Sequence, residues 1–338
     1  FDGDGYADLA VGVGGEDLGG DESVGRVVVL RGSSAGLTAA GAQSWNQASP
    51  GIASTRRLKE RFGDRLAAGD VTGDGRDDLL VQTFREWDSS VAGTRASGNR
   101  GSGLHLLPGS RTGLTAAGSQ YFNGSALGLG VTYSFRSLWL GDVNADGHDD
   151  LALGGPQVIV LHGDAGGFHP GPLAGLGEPG EDSIWPEASI PVSGDFTGDG
   201  RVDLALMRYW RCFDSLGPDS CAPGTPGLSM VIGTGGGLGS QLVPWQPTLD
   251  ATADAGWGLT LNVLPLSGGT HTWLVIGRDS SSVGGAAQAG TVTLLRSDGP
   301  GLPGEPAAWS QDSPKIKNGA EQDDLFGTVG NRWTFANP

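Results

Sequence analysis

Asp70, Thr72, Asp74 and Asp78 place oxygen-bearing side chains at positions 1, 3, 5 and 9 of one short stretch. Gly75 stands at position 6, where a sharp bend is needed, and Arg76 offers its backbone carbonyl at position 7. Oxygen donors at this spacing, without His or Cys, are suited to a hard divalent cation, Ca²⁺ before any transition metal. Mg²⁺ resists dehydration and prefers fewer protein ligands. Carboxylates packed this closely repel one another unless something neutralises them, so the stretch predicts a bound cation. The pattern recurs with Asp142, Asn144, Asp146, the His148 carbonyl and Asp150, and again with Asp195, Thr197, Asp199, the Arg201 carbonyl and Asp203. The chain opens part-way through a further copy, Asp2, Asp4, the Tyr6 carbonyl and Asp8, which lacks its first ligand. The expectation is three complete Ca²⁺ loops and one incomplete one.

An EF-hand would carry Glu at position 12 and a helix on either side. Position 12 here is Val81, Leu153 or Leu206, inside a short apolar run that reads as a strand. The loop is therefore expected to clip a β-hairpin. The elements around it repeat too. Closing aspartates fall at 8, 78, 150 and 203, and a second signature, a short strand ending in a glycine turn, occurs at 25–32, 103–109, 157–163, 228–233 and 290–296. Five copies of that strand predict five units, bounded approximately at 1–60, 61–134, 135–188, 189–254 and 255–324, with 325–338 starting or closing another. The fifth unit keeps its flanking strands but has no carboxylate between 262 and 277, so the scaffold does not require a cation in every unit. An aromatic-glycine strand precedes the loop, most clearly at Arg61-Phe62-Gly63-Asp64 and again at Leu325-Phe326-Gly327.

Sixty-two glycines and 19 prolines are poor material for long helices, and no window carries sustained helical apolar spacing. About four strands per unit give an all-β chain, a β-propeller of four-stranded blades forming a single domain. The order of aromatic-Gly strand, Gly-Asp-x-[Thr/Asn]-x-Asp-Gly-x-x-Asp-Leu loop and short strand resembles the FG-GAP repeat of integrin α-subunit propellers and of related secreted bacterial proteins. Phe62-Gly63 and Leu151-Ala152-Leu153-Gly154-Gly155-Pro156 carry the closest likeness. That resemblance implies a propeller, usually seven-bladed, acting in extracellular adhesion or recognition. Five units then mean either two blades upstream of Phe1, the preferred expectation, or a smaller five-bladed ring.

A net charge of −17 argues against nucleic acid or an anionic membrane surface as partner, and no apolar run approaches a membrane span. Cys212 and Cys221, in a polar loop, are expected to form a disulfide in an oxidising compartment, two free thiols being the alternative. Gly32-Ser33-Ser34-Ala35-Gly36 satisfies a nucleophile-elbow pattern, but the matching place in other units lacks the Ser or its spacing, which marks a hairpin turn. The five histidines, 105, 148, 162, 169 and 271, are scattered among units; His148 is expected to point away from the cation that its carbonyl binds. No catalytic constellation emerges. Trp87, Trp185 and Trp210 fall in or near insertions, the longest of which are 85–103 and 211–227, and are candidates for stacking on a sugar or protein partner, with blade packing as the plainer role. The leading expectation is a secreted or cell-surface, calcium-stabilised, non-catalytic module binding a protein or glycan. Alternatives are the accessory propeller of a hydrolase with its catalytic part upstream, and a subunit of a larger extracellular assembly.

Overall fold

In a computed structural model, the chain forms antiparallel β-sheets with no helix among the described residues. The structure describes residues 1–53, 59–87, 100–124, 126–127, 137–154, 158–169, 174–176, 185–188, 192–211, 227–234, 237–245, 259–265, 272–278, 282–287, 289–295, 307–316, 319 and 321. Two compact units divide it, Phe1–Gly175 and Leu176–Pro338.

In the first unit, β1 (Leu9–Val13), β2 (Arg26–Arg31) and β3 (Thr38–Trp45) make one sheet in that order. A second sheet runs β4 (Arg65–Gly69), β5 (Asp78–Trp87), β6 (Arg100–Leu107) and β7 (Gln120–Asn123), and a third starts with β8 (Ser137–Gly141), β9 (Asp150–Gly154) and β10 (Val158–Leu161). A small hairpin of β11 (Gly163–Asp164) and β12 (Gly167–Phe168) precedes β13 (Ala174–Leu176), which pairs with β10 as the fourth strand of the third sheet. The second unit holds two sheets. In one, β14 (Trp185–Ala188) and β15 (Val192–Gly194) both pair with β16 (Asp203–Arg211), followed by β17 (Gly227–Thr234) and β18 (Gly237–Trp245). The other runs β19 (Leu259–Pro265), β20 (Thr272–Arg278), β21 (Thr291–Leu295) and β22 (Ala307–Trp309).

Each repeat thus supplies one meander, and in the second and third repeats the strand after the acidic loop is sandwiched on both faces, whereas β1 after the first loop is largely exposed. Leu79, Leu80 and Val81 are all buried, as are Leu151, Ala152 and Leu153. Leu79 and Val81 join Phe62 of their own repeat and Val27 and Val29 of the preceding one, while Leu80 joins Leu151, Leu153 and Ile159 of the following one. Such a strand reads as an unbroken apolar run rather than an alternating one. The Phe-Gly dipeptide serves this stacking. Phe62 is fully buried and its N–H donates to Val24 O at 2.9 Å, while Gly63, at φ +89°, lets the backbone approach β1 and β2 so closely that a Cβ would collide with Arg26 O.

Two sequence expectations shift. Trp185–Ala188, which the unit boundaries assign to the third repeat, is hydrogen-bonded into the fourth sheet, with Pro186 opposite Trp210 and Trp185 opposite Arg211. The insertion expected at 85–103 is shorter, because β5 runs out to Trp87 and β6 begins at Arg100, paired with it. Cys212, Cys221, His271 and the aromatic-Gly copy at 325–327 lie outside the described residues.

Candidate metal centre

The acidic loop is the connection of a β-hairpin. Gly69 faces Asp78, Gly141 faces Asp150 and Gly194 faces Asp203 across the strand pair that closes it. Two positions in each loop require left-handed backbone. Position 6 is glycine throughout, at φ +91° (Gly5), +82° (Gly75), +89° (Gly147) and +82° (Gly200). Position 4 is also left-handed, at Gly3, Gly73 and Gly198, but loop three places Ala145 there with φ +60°. A Cβ in that region strains the backbone by about 1–2 kcal/mol. Ala145→Gly is therefore expected to raise stability by about 1 kcal/mol, after the extra unfolded-state entropy of glycine is subtracted; a urea midpoint that stays put or falls at constant m-value would count against the strain.

Within the loop the carboxylates organise the backbone in a fixed way. The position-1 Asp accepts from the N–H groups of positions 5 and 6: Asp70 from Asp74 at 3.0 Å and Gly75 at 2.8 Å, Asp142 from Asp146 at 3.2 Å and Gly147 at 2.9 Å, Asp195 from Asp199 at 3.1 Å and Gly200 at 2.8 Å. The position-5 Asp accepts from the N–H of position 7, as at Asp4 from Tyr6, Asp74 from Arg76, Asp146 from His148 and Asp199 from Arg201. In loops two and four the position-7 guanidinium turns back onto the same carboxylate, Arg76 to Asp74 and Arg201 to Asp199, both at 2.8 Å.

Position 9 differs from the rest in burial and in reach. Asp78, Asp150 and Asp203 are completely buried. One carboxylate oxygen accepts from the glycine that ends the second-signature strand: Gly32 to Asp8 at 2.8 Å, Gly109 to Asp78 at 2.8 Å, Gly163 to Asp150 at 3.0 Å and Gly233 to Asp203 at 2.8 Å. The other oxygen accepts from the start of its own loop, from Thr72 at 2.9 Å, Val143 at 3.0 Å, or both Phe196 and Thr197 at 2.9 and 3.0 Å. This carboxylate therefore ties three chain segments together. Burial pushes Asp78, Asp150 and Asp203 above the ordinary carboxylate range, against the N–H groups that favour the ionised form. Of the three, only Asp150 has an imidazole beside it among the described residues, with His162 Nδ1 at 3.1 Å.

The residues fit a hard cation by donor type, and two features of the fold add to that. Loops two and four bury a carboxylate, Asp78 or Asp203, with no side-chain cation paired to it among the described residues. Thr197 Oγ1, the position-3 donor of loop four, is buried without a hydrogen bond of ordinary geometry, although the Asp203 carboxylate is close enough to interact with it. Among the described residues no three His, Cys, Asp or Glu side chains gather as a ready metal cage; the carboxylates are turned toward backbone N–H groups instead.

Other candidates resolve as scaffold. Ser33–Gly36 is a hairpin turn in which Ser33 Oγ donates to Gly36 O at 2.7 Å and Gly36 N donates to Ser33 O at 2.9 Å. His105 is buried between Phe62 and Tyr121, with ring centroids 5.2 and 4.9 Å away. His148, as expected, leaves its own loop: its Nδ1 lies 3.1 Å from Val71 O. Trp87 ends a strand and Trp185 and Trp210 sit on neighbouring strands of one sheet, which brings the last two together along the backbone.

Sequence reasoning missed two positions. Val71, Val143 and Phe196, at position 2, are buried and anchor each loop to the core; an apolar residue in every copy was the available signal. Asp149, at position 8, packs against Asp70, and burial together with the charges of Asp70, Asp142 and Asp77 pushes its carboxyl up.

The FG-GAP repeat family model matches residues 1–30, the stretch that contains the first acidic loop, β1 and all but the last residue of β2. Integrin alpha-PS2 of Drosophila melanogaster is 30% identical over 226 residues, 62% of this chain, and mouse (Mus musculus) integrin alpha-IIb is 29% identical over 166 residues, 45% of it. Residues 1–30 thus match an FG-GAP repeat, and the chain is similar to integrin α chains over as much as 62% of its length. It spans only 14% and 15% of the length of those two relatives. A solved structure of Bacillus licheniformis rhamnogalacturonan lyase PL11 matches 87% of this chain and 60% of its own at 12% identity, with a TM-score of 0.36, a likeness too small to carry an argument. No helix among the described residues is long and apolar enough to cross a membrane.

Proposed function

We propose that the five FG-GAP sheets are blades of a β-propeller that works outside the cell as a calcium-stabilised, non-catalytic binding module for a protein or glycan. The observation that carries this reading is the acidic loop repeated four times at one spacing, the first copy without its position-1 donor, each with a position-9 carboxylate that accepts from the closing glycine. Asp70, Thr72, Asp74, the Arg76 carbonyl and Asp78 would hold one Ca²⁺, and the corresponding residues of loops three and four one each. The first copy would use Asp2, Asp4, the Tyr6 carbonyl and Asp8. Bound calcium supplies positive charge to loops that otherwise carry three or four aspartates each. The cation stiffens a blade rather than touching the partner, because the fifth repeat builds its sheet from β19 to β22 with no such loop. The likeness to integrin α chains supports recognition of a protein, alone or within a larger extracellular assembly. Trp185 and Trp210, on adjacent strands of one sheet, are the contact candidates.

Chelation with EGTA is expected to lower the thermal midpoint by several degrees, and calcium, but not magnesium at the same concentration, to restore it. An unchanged midpoint would remove the structural role of the cation. A glycan array and a pull-down from extracellular fluid, each with and without calcium, then separate glycan from protein as the partner.

A further inference from the structure

We infer that His148 couples loop three to loop two, so that a cation held by either loop favours a cation in the other. This rests on the calcium reading of the loops. Four contacts join them. The Asp149 N–H donates to the Asp70 carbonyl at 2.8 Å. His148 Nδ1 lies 3.1 Å from Val71 O. The imidazole covers Gly73, where a Cβ would collide with it, and the Asp149 carboxylate covers Gly69 in the same way. Positions 7 and 8 of loop three thus grip loop two at positions 1, 2 and 4 and at the residue just before it.

Those positions are the ones that must be ordered for binding. His148 offers its backbone carbonyl to the loop-three cation, while Asp70 offers its carboxylate to the loop-two cation, and the peptide between them is shared. A cation that fixes one side leaves less of the other to order, which is positive coupling without any new contact. Repulsion between the two cations opposes this, and Asp77 and Asp149, which occupy no ligand position, place negative charge at the junction to offset it.

The same relation runs one step back, where the stem of Arg76 lies over Gly3 of loop one. Loop four is different. The Asp195 carbonyl accepts from Thr272 N at 3.3 Å, and Thr272 opens strand β20 of the repeat that has no loop. Its neighbour is ordered without a metal, so loop four serves as an internal reference.

Hydrogen exchange of the full chain, followed across a calcium titration at fixed pH and salt, reads each loop separately. In the wild type, loops two (70–78) and three (142–150) are expected to gain protection at the same free calcium. His148→Ala keeps the ligand carbonyl, yet should move the loop-two transition to about tenfold higher calcium while loop four (195–203) stays where it was. His148→Asn, whose amide can still donate to Val71 O, should bring loop two back. If loops two and three titrate independently in the wild type, or His148→Ala shifts loop three alone, the coupling is wrong and the calcium reading stands. If no loop gains protection with calcium, the calcium reading itself fails and the coupling goes with it.

Discussion

Asp78→Ala is expected to cost roughly 2–5 kcal/mol, several times the cost of Asp74→Ala four residues earlier in the same loop, and to do so with or without calcium. Both residues hold proposed ligand positions, so a reading in which the carboxylates only bind metal predicts similar penalties that vanish together in EGTA. The structure separates them. Asp78 is fully buried and accepts from Gly109 N at 2.8 Å and Thr72 N at 2.9 Å. Removing it strands two backbone donors, each worth about 1–3 kcal/mol when left unsatisfied. Relaxation offers little relief, since Gly109 packs so tightly that even a Cβ would meet the Asp77 carbonyl at 2.6 Å. Asp74 is exposed, its oxygens serve Arg76 alone, and water can replace them. Chemical denaturation of both variants with calcium and with EGTA decides the matter. A penalty for Asp78→Ala that disappears on chelation would make position 9 a ligand and nothing more. The corresponding changes at Asp150 and Asp203 test whether the latch holds in every repeat.

What could be read from the sequence was whatever is local to one repeat. The spacing of Asp70, Asp74 and Asp78 fixes a loop, the two required left-handed positions fall on glycine in nearly every copy, and Leu79-Leu80-Val81 announces a strand buried on both faces. Even the direction of His148 follows, because a position-7 side chain cannot face a cation that its own carbonyl binds. What escaped is set between repeats. Asp149 looks like one more carboxylate of its loop, yet its surroundings belong to loop two, and no spacing rule within 142–150 reports that Gly69 leaves room for it. Trp185–Ala188 was assigned to the wrong sheet for a similar reason. The approximate boundary at 188/189 cuts between two short strands, whereas β16 is long enough to pair with both of them, β14 and β15. The double role of position 9 was hidden because its second partner, the closing glycine, lies about thirty residues downstream in loops two and four and the glycine signature alone reads as an ordinary turn.

Lowering the pH from 6.5 to 5 is expected to destabilise the protein through His105, at up to about 1.4 kcal/mol per pH unit. The imidazole is 1% exposed, sits between the rings of Phe62 and Tyr121, and among the described residues has no hydrogen-bond partner at either nitrogen. Burial alone pushes its pKa down to about 3 from the ordinary 6.5. The folded protein therefore keeps the ring neutral where the unfolded chain takes up a proton. Stability is fully present above pH 6.5 and is lost as the pH falls toward 3, since the unfolded state binds more protons throughout that window. Asp78, Asp150 and Asp203 act in the opposite sense, because burial raises their pKa and the folded state gains relative stability as they protonate. A bare pH–stability curve mixes the two. Subtraction separates them: in His105→Phe the aromatic slot between Phe62 and Tyr121 stays filled, the aspartates are untouched, and only the histidine slope is removed. The stability of the wild type minus that of the variant should fall by about 2 kcal/mol between pH 6.5 and 5. A difference that stays level across that interval would mean the buried imidazole can take up its proton without leaving the fold.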